Sequence, residues 1–272
     1  AEAYPVSGAE CSALQEVCGD FGAEEVSEAV VNDIPANLDQ VLPLPEAPSD
    51  DTQLPNIGER MSMRALEDEC RFNSGKVQKV RDLAQSYTHW RPIRGDGNCY
   101  YRTVVFGALE TFLAAGSHIR LSRVISAFQQ VRYEMPAEQG AHEEMLRRLR
   151  SWDSLKQLER WVAMDSAVDQ ALIRACRRLV RLFLIRHADN LSPNGLTYTE
   201  LVRALDVAYT SIEEFCLRVV DPMGRDAETL ALDALPQQLG IGLRLWILDR
   251  RDEVGLVSLD TPGPDGEVDV HV

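Results

Sequence analysis

Cys99 follows the run Arg94-Gly-Asp-Gly-Asn98 and opens an apolar stretch that reaches Ala115. A run so rich in Gly, Asp and Asn reads as a turn, and the stretch after it reads as a helix. A thiol at the first turn of a helix stands at the positive end of the helix dipole, which favours the thiolate, the nucleophilic form. The loop before it offers backbone N–H groups, the donors that stabilise an oxyanion during acyl transfer. Gly95 and Gly97 permit the tight backbone path that such a loop needs. From this local pattern alone, an ordinary buried thiol at a helix start is the commoner reading, ahead of a nucleophile.

A nucleophilic cysteine needs a base to take and return its proton, and the base needs an orienting group. The chain has five histidines. His89 lies ten residues before Cys99 and reads as surface or packing. His118, His142 and His187 fall in helical patterns, where solvated or core roles are the common ones. His271 falls in the last strand-like segment.

These residues must be held by the elements around them. Helical spacing covers 59–71, 76–87, 99–115, 118–133, 139–150, 152–163, 166–188, 197–205, 211–219 and 225–239. On the stretch 166–188 the arginines 174, 177, 178 and 181 fall on the side expected to face water. Residues 87–93 suit a short strand or extended entry. Alternating segments at 242–249, 253–260 and 268–272 are separated by turns at Arg250-Arg-Asp252 and Pro262–Gly266. Helices followed by an antiparallel β-meander make an α+β layout. No internal repeat is visible.

The net charge of −15 is uneven. Residues 1–59 hold 13 acids and no Lys or Arg, while the rest holds 30 acids against 28 bases. Residues 1–57 therefore read as an acidic, Pro-containing leader that stays solvated, with a weak helix around Ser12–Val31. The folded domain is expected over 58–272. This acidity argues against nucleic acid as the main partner, since phosphates call for clustered Lys and Arg. No stretch reaches about 18 uninterrupted apolar residues, so no membrane span is expected. The six cysteines form no CxxC pair and lack zinc-site spacing, so no metal or cofactor is expected. Free thiols suit a reducing compartment, so a cytoplasmic location is expected, with the nucleus as the second candidate.

The motif Arg94-Gly-Asp-Gly-Asn-Cys-Tyr-Tyr-Arg102 resembles the nucleophile signature of the otubains, a branch of the ovarian-tumour (OTU) cysteine proteases, peptidase C65. Tyr87-Thr-His-Trp90 before it and Leu109-Glu110 after it fit that pattern too. Further on, Glu213–Met223, Ala231-Leu232 with Ala234-Leu235, and Leu243–Arg250 resemble later otubain segments in family order. The resemblance covers roughly 75–272, is weakest across 115–165, and leaves the leader out.

The resemblance implies a papain-like OTU fold and thiol-dependent hydrolysis of isopeptide bonds at the ubiquitin C-terminus. It makes Cys99 the attacking thiolate and places Asp96 in the oxyanion-hole loop, though a turn or N-cap role fits Asp96 as well. Gly97 and Asn98 shape the loop, and Tyr100 and Tyr101 are expected to pack. The departure lies at the base. The family carries its histidine in a Gly-His-aromatic-Asp/Asn pattern, whereas His271 stands between Val270 and Val272. Glu267–Val272 looks more like the strand leading to that histidine, so the base is either His271 or a residue beyond 272. Without a base, the chain as given is expected to be inactive or nearly so.

Ubiquitin or polyubiquitin is the implied partner. A second reading keeps the fold but not the hydrolysis: a module that binds ubiquitin and a charged ubiquitin-conjugating enzyme. A third is an OTU-like scaffold with an unrelated role. The ubiquitin tail is basic, so acids are expected near the groove, with Asp221, Glu213, Glu214 and those in 249–260 as candidates. Met223 and Trp246 are candidates for apolar contact, and the alternation of Trp246 with Leu243, Leu245 and Ile247 suits a core role equally.

Overall fold

The helix that Cys99 opens, α3 (Cys99–Ala114), is apolar almost all round, and such a helix folds by being enclosed. In the computed structural model, which describes residues 55–151, 154–205, 209–249 and 255–272, it is enclosed. Tyr101, Val104, Val105, Phe106, Ala108, Leu109 and Phe112 are all buried. Each of the Val, Leu and Phe side chains contributes roughly 1.5–3 kcal/mol by leaving water.

Before α3 come β1 (Met61–Ser62), α1 (Met63–Cys70), α2 (Ser74–Leu83) and β2 (His89–Trp90). After it come α4 (His118–Phe128), α5 (Pro136–Ser151), α6 (Leu155–Met164) and α7 (Ser166–Arg186). Then follow α8 (Tyr198–Leu205), α9 (Ile212–Phe215), a π-helical turn over Cys216–Val220, and α10 (Thr229–Leu239). The chain closes with β3 (Leu243–Ile247), β4 (Val257–Thr261) and β5 (Val270–His271). The long helix α7 packs against α3, α5, α6 and α10, and its buried face carries Leu172, Ile173, Cys176, Leu179, Val180 and Leu184.

The α+β layout holds, with two differences of detail. The helix expected over 211–219 runs as α9 and then widens into the π-turn, where Asp221 N–H reaches Cys216 O (2.8 Å). The last three strands are not a simple meander. β4 pairs antiparallel with β3, but β5 joins the other edge of β3 and runs parallel to it, with Leu243 opposite Val270. The Asp269 carboxylate explains the detour. It accepts from Gly242 N–H (2.8 Å) while the Asp269 and Val270 N–H groups donate to Gly242 O (2.9 and 3.0 Å). The chain is thus brought back to the start of β3. Val270 is then buried against Gly107 of α3.

A second, smaller cluster joins Met63, Val80 and Leu83 to Tyr87, Trp90, Trp246 and Leu248. It binds α1, α2 and β2 to the outer face of the sheet. Residues 1–54, with the expected Ser12–Val31 helix, and the expected Arg250–Asp252 turn lie outside the described residues. The packed unit reaches back past the expected start at 58. Asn56 Nδ2 donates to Val162 O (3.1 Å), and Ile57 is buried and bridges Ile93. None of the described helices is long and apolar enough to cross a membrane.

Candidate active site

Cys99 is half-buried at the first position of α3. Its N–H, like the others of a first helical turn, has no intrahelical acceptor. An N-cap Asn usually caps such donors with its own side chain. Asn98 does not. Its Oδ1 instead accepts from Gly224 N–H (2.9 Å) and from Arg177 Nη2 (2.8 Å). The amide of Asn98 is thereby spent on a neighbouring loop, and the first turn of α3 stays uncapped by it.

The loop ahead of Cys99 is clamped from two sides. Asp96 Oδ1 accepts from Asn98 N–H (3.0 Å) and Arg102 Nη1 (3.0 Å), and its Oδ2 accepts from Arg102 Nη2 (2.8 Å). Arg102, 1% exposed, also forks onto Asp169 through Nε (2.8 Å) and Nη2 (2.9 Å). Burial works to raise the Asp96 pKa, but the Arg102 fork, the Asn98 N–H and the charges of Arg102 and Arg94 outweigh it. The carboxyl is held below its usual 3.8. From the other side, Arg177 Nη2 binds Gly97 O (3.0 Å), and the same arginine binds Val220 O and Arg225 O (2.9 and 2.5 Å). Gly97 has φ +72°, and a Cβ there would lie 2.2 Å from Gly224 O. Only glycine fits this close approach.

This geometry narrows the oxyanion donors. Asn98 N–H is occupied by Asp96, and its peptide carbonyl partner, Gly97 O, by Arg177. The N–H groups of Gly95, Gly97 and Cys99 have no acceptor among the described residues, and those of Gly97 and Cys99 flank the helix start. Asp96 therefore acts as the turn-forming carboxylate that holds the loop, through the same side chain that pins Arg102. Tyr100 and Tyr101 pack edge to face (5.5 Å between ring centres), and Tyr100 Oη donates to Ala231 O (3.2 Å).

His271 sits elsewhere in this arrangement. Successive strand residues point to opposite faces. Val270 meets Gly107 of α3, so His271 turns to the other face, where its Nδ1 lies 2.7 Å from Tyr87 Oη. That hydroxyl accepts from Trp246 Nε1 (3.1 Å). Burial and the Arg244 charge lower the His271 pKa, opposed by Asp260. Together with Met63, Trp90 and Trp246 it borders a cavity of about 690 Å³. The structure thus brings Asp96 and Cys99 together in one turn, and no hydrogen bond joins His271 to Cys99 among the described residues. The other histidines are engaged locally or exposed. His89 pairs with Thr88 (2.8 Å), His142 is buried on Phe128 O (3.0 Å), His187 pairs with Asn190 (2.9 Å), and His118 is exposed.

The candidate acids are largely paired within the chain. Asp221 takes Arg178 and Arg181, Glu214 takes Arg218 and Thr210, Asp260 takes Arg244, and Asp249 takes Lys79. Trp246 packs in the smaller cluster beside Tyr87 (6.3 Å between ring centres), and Met223 leans on the main core. Arg177 differs from the expectation that it faces water: it is 1% exposed and hydrogen-bonded to the loop ahead of Cys99.

Comparison with known proteins agrees with this fold. The sequence profile of the peptidase C65 otubain family matches residues 49–265. The chain is 24% identical over 209 residues to the ovarian tumor domain-containing deubiquitinating enzyme 1 of Arabidopsis thaliana, spanning 73% of this chain and 66% of that one. It is 24% identical over 212 residues to human ubiquitin thioesterase OTUB1, spanning 73% and 72%. It thus spans about two thirds or slightly more of these relatives. Among solved structures, an h/ceOTUB1 complex with ubiquitin aldehyde and UBC13~Ub superposes with a TM-score of 0.66 at 20% identity, over 80% of this chain and 85% of that one. A nematode OTUB1 complex with ubiquitin aldehyde and UBC13~Ub gives 0.67 at 19% identity, over 80% and 88%.

Proposed function

The chain belongs to the otubain family, peptidase C65, and from that membership we propose that it is a cysteine-type deubiquitinase that cleaves isopeptide bonds at the ubiquitin C-terminus. The observation that carries the reading is Cys99 at a helix N-terminus without a side-chain cap, behind a loop whose Gly97 carbonyl and Asn98 side-chain oxygen bind Arg177. In this reading the Cys99 thiolate attacks the isopeptide carbonyl, and the N–H groups of Gly97 and Cys99 receive the oxyanion. The C–N bond then breaks, the lysine amine leaves with a proton, and water releases ubiquitin from the thioester.

The proton shuttle is a histidine. His271 is hydrogen-bonded to Tyr87, and no hydrogen bond joins it to Cys99 among the described residues, so the proposal assigns that role to a histidine beyond residue 272. His271, released from Tyr87, is the alternative. Ubiquitin is the proposed substrate partner. A ubiquitin-charged conjugating enzyme is a second, since solved OTUB1 relatives hold UBC13~Ub or UBCH5B~Ub.

One observation favours a second reading. The only histidine on the C-terminal strands described here is hydrogen-bonded to Tyr87, and a chain without a shuttle binds rather than cleaves. Both readings meet in one experiment. A ubiquitin C-terminal electrophile is applied to the chain ending at Val272 and to a chain carrying whatever the native gene encodes beyond it, each beside Cys99→Ala. Labelling of the longer chain, lost in Cys99→Ala, with turnover of a ubiquitin chain, is the expected result. Ubiquitin or charged-enzyme binding that survives Cys99→Ala, with no labelling of either chain, would establish the binding module instead.

A further inference from the structure

Asp169 stands in the first turn of α7, 3% exposed and 67 residues from Arg102 in the chain. Both of its carboxylate oxygens face that one arginine. Oδ1 accepts from Nε (2.8 Å) and Oδ2 from Nη2 (2.9 Å), and no other donor reaches either oxygen among the described residues. Burial raises the Asp169 pKa, opposed by the Arg102 fork. A buried carboxylate is costly to keep, and this one is kept for a single partner. Neutralisation does not call for it. Asp96 alone would offset the Arg102 charge, and Arg94 Nε comes no nearer than 3.9 Å to Asp96, from an exposed position.

What the second carboxylate adds is geometry. A guanidinium carries five N–H bonds in one rigid plane, and Arg102 uses them all. Nε and one Nη2 hydrogen serve Asp169. The other Nη2 hydrogen and one on Nη1 serve Asp96 (2.8 and 3.0 Å), and the last serves Arg94 O (3.1 Å). Asp96 in turn accepts from Asn98 N–H (3.0 Å). An unbroken run of hydrogen bonds therefore leads from Asp169, through Arg102 and Asp96, to the backbone of the residue before Cys99. With the Asp96 edge alone, the long arginine side chain would share the freedom of the loop it binds. The fork onto Asp169 ties the guanidinium plane to α7, whose buried face belongs to the core.

We propose that Asp169 is a positioning residue for the nucleophile loop: its fork fixes the plane of Arg102, through which Asp96 holds Asn98 N–H and so aims the neighbouring Gly97 and Cys99 N–H groups at the oxyanion. The proposal rests on the reading of Cys99 as the nucleophile of an acyl-transfer site. It adds that part of the oxyanion geometry is set by α7, a helix far from the motif in sequence. An oxyanion donor is worth about 10²–10³ in rate when removed outright, so donors that are loosened and not lost are expected to cost about tenfold.

The test sets two electrophiles against each other on the full-length chain. With ubiquitin aldehyde, a bond forms from Cys99 Sγ to the carbonyl carbon and the π pair moves onto oxygen, so capture draws on the oxyanion donors before that oxygen takes a proton. With iodoacetamide, the Sγ–C bond forms as the C–I bond breaks and iodide leaves, and no oxyanion arises. In Asp169→Asn the Nδ2 group cannot accept from Arg102. Capture of ubiquitin aldehyde is expected to slow about tenfold, while alkylation by iodoacetamide stays within about threefold of wild type, since it follows the thiol's own reactivity. In an Arg102→Lys background, which has no second edge to fix, the same substitution is expected to add less than about twofold. Hydrogen exchange of the Asn98 amide, read by NMR, reports the loop with no electrophile present. Its protection is expected to fall about tenfold in Asp169→Asn, while the amides of Leu172, Ile173 and Leu179 on α7 keep theirs.

Unchanged Asn98 exchange in Asp169→Asn, or aldehyde capture at the wild-type rate, would overturn the proposal. Protection lost along the whole of α7, or an equal loss with both electrophiles, would overturn it too, since Asp169 would then support the fold or the thiol at large. Failure of the deubiquitinase reading would show separately, as a wild type whose Cys99 takes iodoacetamide but not ubiquitin aldehyde. The Asn98 amide would still decide in that case whether Asp169 holds the loop.

Discussion

Asp96 shows how one side chain sets both the shape and the pH tolerance of the site. Its carboxylate holds the turn through Asn98 N–H and fixes Arg102, and its pKa lies below the ordinary value. A carboxyl whose folded pKa is depressed stabilises the fold at pH values above its unfolded pKa, and that contribution is lost as pH falls through the folded one. Asp96→Asn is therefore expected to lower Tm by a few degrees at pH 6–7, on the order of 1–2 kcal/mol for a charge-assisted pair at this partly exposed site. The gap to wild type should close as pH falls below 3.8. Thermal melts across that range check it, and a gap that ignores pH would remove the ionised Asp96–Arg102 pair from the account. The motif around Cys99 was legible because its parts are contiguous in sequence. Arg177 was hidden by its neighbours, since Arg174, Arg178 and Arg181 make a convincing wet stripe. The signal against that reading was present. Ile173, Val180 and Leu184 stand at −4, +3 and +7 from residue 177, and all three are fully buried, so position 177 lies on their stripe.

At the scale of elements, α3 and β5 approach most closely at Gly107. A Cβ at Gly107 would come within 2.7 Å of Val270 Cγ1, a contact closer than packed atoms tolerate. Gly107→Ala removes a flexible residue from a helix interior, which in isolation stabilises by about 0.5–1 kcal/mol. Here the overlap should dominate and destabilise, typically by 1–3 kcal/mol. Val270→Ala leaves a void and also destabilises. Joined in one chain, the two changes should cost less than their sum, because the smaller side chain on β5 admits the methyl on α3. Denaturant melts of the three variants give the coupling, and strict additivity would show that α3 and β5 are not in register as described. The helices were legible from their spacing because most of their contacts are local. The pairing of β5 was not, because it depends on Asp269 meeting Gly242, 27 residues away. The widening of α9 into a π-turn was equally hidden. Its stabilising contact, Arg177 on Val220 O, lies 43 residues back in the chain.

At the scale of the whole molecule, the charge is divided as sharply as the sequence suggested. Residues 1–59 hold 13 acids and no Lys or Arg, and the remainder is close to neutral. The packed unit closes its own N-terminal end, with Asn56 tied to Val162 O, Arg94 N–H to Asn56 O, and Ile57 buried. The groups that hold Asn56 and Ile57 thus lie within the same unit, and the core around α3 draws on elements from 57 onward. Removal of residues 1–51 is expected to leave Tm within about 1–2 °C of the full chain, since exposed substitutions away from packed features change stability by about 0.5 kcal/mol or less. Alkylation of Cys99 by iodoacetamide should likewise keep its rate at physiological ionic strength, where charges beyond about 8 Å are screened. Association with a basic partner, read as a salt-dependent binding isotherm, is where the 12 acids of residues 1–51 would act. A shortened chain that melts many degrees lower would show that the acidic segment contributes contacts to the fold. A shortened chain with unchanged Tm but altered Cys99 reactivity at low salt alone would instead show its charge acting on the site through solvent.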